Sequence, residues 1–129
     1  MKVSELPYER VTIERMRDEI STIISLIGHA KTAEDVLEAR KRYNAVCDEY
    51  NTANALSYMR YTINTVDEFY LHEKDYYDEI SPEVANLDLA YNTAFMNSPF
   101  LPELKKILNP LLFQSIESVF KKCYILIVN

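Results

Sequence analysis

The segment His72-Glu73-Lys74-Asp75-Tyr76 opens like the zinc motif in which two histidines four residues apart share one helical face and the intervening glutamate activates water. The second histidine is missing, because position 76 is tyrosine. The other histidine of the chain is His29, and a zinc site built from His29, Cys47, His72 and Cys123 would require four widely separated residues to converge. Both histidines are therefore read as solvent-side residues. A carboxylate-bridged di-iron bundle needs Glu-x-x-His on two helices, whereas Leu26 and Phe69 stand three residues before the two histidines. The expectation is no metal, cofactor or catalytic residue in this chain. No serine or cysteine nucleophile has an evident base and orienting acid, and the single glycine, Gly28, cannot build a phosphate loop.

Two denser groupings remain. Between Asp67 and Glu83, seven acids (Asp67, Glu68, Glu73, Asp75, Asp78, Glu79, Glu83) stand against one lysine, Lys74. This could dock a basic partner, but charge runs on helices are more often solvated faces. Tyr43, Tyr50, Tyr58, Tyr61, Phe69, Tyr70, Tyr76, Tyr77 and Tyr91 crowd into two helical stretches. Tyrosine couples a large apolar ring to a hydroxyl that needs a partner, which suits a half-wet groove or an interface. The plainer alternative is a core whose rings reach the surface. The residues expected to contribute to a peptide groove or interface are Tyr58, Arg60, Tyr61, Asn64, Tyr70, Tyr76 and Tyr77.

The elements that must carry these residues read as helices. At 129 residues, with 48% hydrophobic and 26% charged residues, the chain has the length and composition of one packed domain spanning 1–129. One glycine disfavours tight hairpins and most sheet architectures. The fold class is all-α: an antiparallel bundle of long amphipathic helices followed by short C-terminal helices. Ile13, Met16, Ile20, Ile23 and Ile27 form a first stripe, with Thr12 as N-cap and Gly28 as a left-handed stop. Thr32 with Asp35 opens a second helix, whose stripe Val36, Ala39, Tyr43, Val46, Tyr50 and Ala53 then slips through Leu56, Met59 and Ile63. Thr65 with Glu68 forms a capping box for a third helix, which Ser81-Pro82 is expected to end and restart. Short helices are expected over Glu103 to Leu108 and Pro110 to Lys122, and the apolar ending Cys123 to Val128 loses the helical pattern. That ending is too short to cross a bilayer. The opening residues lack a secretory signal, so a cytoplasmic protein with two free thiols is expected. A net charge of -6 removes the basis for binding nucleic acid or an anionic membrane.

The opening Met1 to Arg10, the block Val36-Leu37-Glu38-Ala39-Arg40 and above all Tyr58-Met59-Arg60-Tyr61-Thr62-Ile63-Asn64-Thr65 resemble the N-terminal region of oligoendopeptidase F-like enzymes, which are thimet-type M3 zinc metallopeptidases. The similarity continues through Asp67-Glu68-Phe69-Tyr70, through Glu73 to Glu83, and through Ser98-Pro99-Phe100 and Pro110-Leu111-Leu112-Phe113. It ends near Lys121. The resemblance implies a mostly helical zinc peptidase of several hundred residues that cuts oligopeptides in an enclosed cavity, with this chain as its leading piece, truncated before the catalytic domain. The family's His-Glu-x-x-His helix lies downstream of anything present here, so no catalytic residue carries over and the chain by itself is expected to be inactive. Zinc and oligopeptide partners belong to the full-length family. For this chain the expected partners are a missing catalytic domain or a second copy, and the alternative is a stand-alone helical interaction module.

Overall fold

The computed structural model describes residues 7–128, with side chains described for 7–122. Five helices follow an extended lead-in: α1 (Ile13–Gly28), α2 (Ala33–Ile63), α3 (Glu68–Met96), α4 (Leu101–Ile107) and α5 (Pro110–Val128). The first three pack against one another in all three pairings, and the short connections between them make successive helices antiparallel. This is the all-α bundle that the periodicity implied.

In α1 the buried residues Ile13, Met16, Ile20, Ile23 and Ile27 alternate in steps of three and four. Thr12 caps the helix by accepting from the Arg15 amide at 3.3 Å. Gly28 does not take a left-handed conformation: it is the last helical residue, and no glycine among the described residues has positive φ. His29 ends the helix instead, through its own amide and a 2.8 Å bond from its Nδ1 to the Ser25 carbonyl. The carbonyls are thus satisfied without the glycine's freedom.

The cap of α2 is reciprocal. The Thr32 hydroxyl accepts from the Asp35 amide at 3.2 Å, and Asp35 reaches back to the Lys31 amide at 3.0 Å. The buried stripe does not slip after Ala53. It continues as Val36, Ala39, Tyr43, Val46, Tyr50, Ala53, Ser57 and Arg60 in a three-four alternation whose last members are polar, with Leu56, the first residue of the expected slip, buried beside Ser57. The apolar sequence drifts off the buried face, leaving Met59 at 45% and Ile63 at 70% exposure. A spacing of 3.5 keeps a seam facing its partners along a whole 31-residue helix.

Helix α3 begins two residues later than the Thr65–Glu68 box suggested, with Asp67 as N-cap accepting from the Phe69 amide at 2.9 Å. It then runs 29 residues through Pro82 without a restart. Ser81 and Pro82 are both exposed, so the Asp78 carbonyl that loses its helical donor faces water rather than the core. On the inner side Glu73, Tyr77, Ile80, Tyr91 and Phe95 are buried.

Helix α4 starts at Leu101, before the expected Glu103, because Pro102 is tolerated in a first turn. Its Leu104 is fully buried, and Phe113 and Ile116 of α5 complete the core. The expectation that residues after Lys122 leave the helix is corrected: the α5 backbone continues to Val128. No glycine or proline follows Pro110, and each added residue gains a hydrogen bond that outweighs the few tenths of a kcal/mol of β-branched propensity. Cys47 is a free thiol; the side chain of Cys123 lies outside the described residues. No helix among the described residues is long and apolar enough to cross a membrane.

Candidate functional site

The lead-in from Pro7 to Thr12 forms a strap that α3 fastens to the bundle. Glu73 is its hub. Glu73 Oε1 accepts from the Tyr8 hydroxyl at 2.7 Å and from Arg10 Nε at 3.0 Å, while Oε2 pairs with the second arm of the Arg10 guanidinium. Arg10 holds the Glu73 carboxyl below the usual carboxylate range, helped by the Tyr8 hydroxyl and opposed by burial. With the Tyr8 proton spent on Glu73, the 3.0 Å contact between the Tyr8 and Tyr77 hydroxyls is a donation from Tyr77. The Tyr77 oxygen in turn accepts from the Val11 amide at 3.1 Å. Tyr76 accepts from the Ile13 amide at 2.9 Å, satisfying a first-turn donor of α1, and the Arg10 guanidinium lies 4.1 Å above its ring. Burial, then the bonds with Tyr77 and Glu73, pushes the Tyr8 phenol well above its ordinary pKa.

The residues expected to line a groove or interface divide between two places. Tyr76 and Tyr77 bind the strap. Tyr70 accepts from Arg60 Nη1 at 2.9 Å and packs edge-on against Tyr8, so Arg60 and Tyr70 join α2 to α3 beneath it. Tyr58 and Tyr61 instead flank the Lys74 ammonium on the outer face, at 5.6 and 5.3 Å. Asn64 ends α2, and its side chain accepts from the Val66 amide at 3.2 Å. At that turn Tyr58, Met59, Ile63, Val66 and Phe69 expose an apolar tip, with Val66 86% exposed.

The acidic run is not one solvated face. Asp67 caps α3, Asp75 and Asp78 pair with Lys74, Glu83 pairs with Arg17, and Glu73 is only 5% exposed. The sequence reading missed Tyr8, Arg10 and Glu73 as a unit. The signal was present, because Glu73 stands in the same three-four register as Tyr70, Tyr77 and Ile80.

A groove of about 510 Å³ opens between the strap and α2. Pro7, Tyr8, Glu9 and Val11 form one wall, and Asp48, Glu49, Thr52, Ala53 and Leu56 the other. Val11, Ala53 and Leu56 are buried and make an apolar floor, while the carboxylates lie at the rim. Among the described residues no three His, Cys, Asp or Glu side chains converge on a point that could hold a metal ion. His72 is exposed and the group four residues on is the Tyr76 hydroxyl, already engaged by Ile13. Among the described residues the donors present do not fit a zinc ion.

Residues 3–122 match the family profile of the peptidase M3 N-terminal domain. No curated protein matches the chain. Among solved structures, one described as an oligoendopeptidase F is 37% identical, with a TM-score of 0.85 over 91% of this chain and 21% of its own. PZ peptidase A, solved with an inhibitor, is 35% identical, with a TM-score of 0.85 over 90% of this chain and 21% of its own. An oligoendopeptidase F from Bacillus anthracis str. Ames is 30% identical, with a TM-score of 0.84 over 88% of this chain and again 21% of its own. The chain therefore spans about a fifth of the length of these proteins. The chain belongs to the M3 peptidase family, as its N-terminal domain.

Proposed function

We propose that this chain is the N-terminal helical unit of an oligoendopeptidase F-like M3 zinc metallopeptidase, walling the cavity in which short peptides are cut, and that it hydrolyses no peptide by itself. The observation that carries this reading is the match of residues 3–122 to the M3 N-terminal domain, together with a described set of side chains in which no metal-binding group converges. Water activation by zinc needs the ion, and the ion needs about three protein ligands. The complete enzyme acts in the cytoplasm on oligopeptides; this unit contributes shape and contacts rather than chemistry. Equilibrium dialysis of the 129-residue chain against zinc tests the absence of a site. No stoichiometric binding at micromolar zinc is expected. A tight one-to-one complex would overturn that part of the reading.

The exposed tip supports a second reading, a stand-alone interaction module or homo-oligomer. Tyr58, Met59, Ile63, Val66 and Phe69 sit together at one end of the bundle, and clustered exposed apolar side chains mark contact surfaces. Sedimentation across a hundredfold concentration range separates the readings. A dimer abolished by Ile63→Ser and Val66→Ser favours the module; a monomer at every concentration removes the homo-oligomer.

A further inference from the structure

The geometry points to the groove between the strap and α2 as a docking site for an extended peptide segment that carries a lysine or arginine between apolar residues. The inference does not depend on the peptidase reading. At about 510 Å³ the groove falls within the size range of ligand pockets, and its floor of Val11, Ala53 and Leu56 offers apolar surface to a partner's side chain. Its rim carries three carboxylates, Glu9, Asp48 and Glu49. Arg15 pairs with Glu49 at 2.7 Å, but among the described residues no cation pairs with Glu9 or Asp48. Two carboxylates without an ion-pair partner among the described residues, above an apolar floor, complement a basic head on an aliphatic stem, the shape of lysine and arginine.

The strap gives the partner a main chain to pair with. Between Tyr8 and Arg10 it makes no backbone–backbone hydrogen bond among the described residues. It is held in place from behind, by Glu73 and Tyr77, so the wall facing the groove is fixed before a partner arrives. That favours an extended peptide over a free amine, which would engage the rim alone.

Calorimetric titration of the full chain tests this with three acetylated and amidated pentapeptides: Leu-Lys-Leu-Arg-Leu, Leu-Glu-Leu-Glu-Leu and Gly-Lys-Gly-Arg-Gly. The first is expected to bind, and the other two at least about tenfold more weakly, because each lacks one half of the complementarity. Glu9 and Asp48 are exposed, so a Glu9→Gln, Asp48→Asn double variant folds, and it is expected to weaken binding of the first peptide about tenfold. Thr52→Arg, which puts a cation on the rim itself, should do the same. Failure of the first peptide to bind, equal binding of the acidic peptide, or unchanged affinity in both variants would overturn the proposal. So would a concentration-dependent dimer abolished by the same variants, which would assign the groove to a second copy. Binding by a variant that starts at Pro7, but not by the full chain, would likewise overturn it in favour of the chain's own first residues.

Discussion

Glu73 shows how one carboxylate can organise a segment that has no regular structure. It is almost fully buried, yet each oxygen has a partner, so its desolvation is offset by the Arg10 ion pair and the Tyr8 hydroxyl. Replacing it with glutamine removes the charge and leaves Arg10 facing a neutral amide. Glu73→Gln should lower stability by about 1–2 kcal/mol at neutral pH, read by urea denaturation. The pH dependence carries a definite sign. Because the folded carboxyl titrates below its unfolded value of about 4.3, its contribution is present above that pH and is lost as pH falls through the lower folded value. The wild-type chain should therefore lose stability more steeply on acidification than Glu73→Gln does. Parallel curves would show that Glu73 is not the titrating hub. A second residue makes the opposite case. Tyr91 is fully buried, stacked 3.6 Å from Tyr43, and its hydroxyl makes no hydrogen bond of ordinary geometry among the described residues, although the Arg40 guanidinium is near enough to favour its ionised form by charge and by a weak hydrogen bond. Burial pushes its pKa up to about 12. Tyr91→Phe deletes the unsatisfied group without changing the ring, so thermal denaturation should find it as stable as the parent or up to about 1 kcal/mol more stable. A loss of more than about 1 kcal/mol would mean that the hydroxyl has a partner.

At the scale of the helix, two local rules yielded to packing. Proline in a helix interior costs roughly 3 kcal/mol in isolation, yet α3 passes through Pro82 because the lost bond lies on the wet side while Tyr77, Ile80 and Tyr91 hold the inner side in the core. Pro82→Ala should stabilise the chain by about 1–3 kcal/mol, visible as a rise in the denaturation midpoint. No rise would mean that α3 is not helical across residues 79–83. Gly28 has helical backbone and nothing within 4 Å of where a Cβ would stand. Gly28→Ala should then add about 0.5–1 kcal/mol by restricting the unfolded chain, whereas a left-handed stop would have made the same change destabilising. The extents of α1 and α2 were legible because the cap residues Thr12 and Thr32 and the apolar stripes agree with each other. What stayed hidden was register. Ser57, Arg60 and Glu73 occupy buried positions in the three-four alternation, but their polarity disguised them, and Met59 and Ile63 looked like the continuation of a stripe they had left. The strap was hidden for a further reason: six irregular residues have no periodicity, and their partners are more than sixty positions away.

For the whole molecule, the bundle supplies rigidity and surface, and among the described residues no metal-binding cluster assembles on it. The three long helices share one core, the strap closes one side of it, and the turn between α2 and α3 leaves its apolar tip in solvent. The match to solved oligoendopeptidases covers about nine-tenths of this chain and about a fifth of theirs, and in the function proposed above hydrolysis belongs to the remainder of such an enzyme. The direct measurement is turnover. The purified 129-residue chain is incubated with an internally quenched oligopeptide and added zinc, with and without a chelator. The account predicts a rate indistinguishable from buffer in both conditions. Chelator-sensitive cleavage that stays with the chain through immunodepletion and repurification would contradict it.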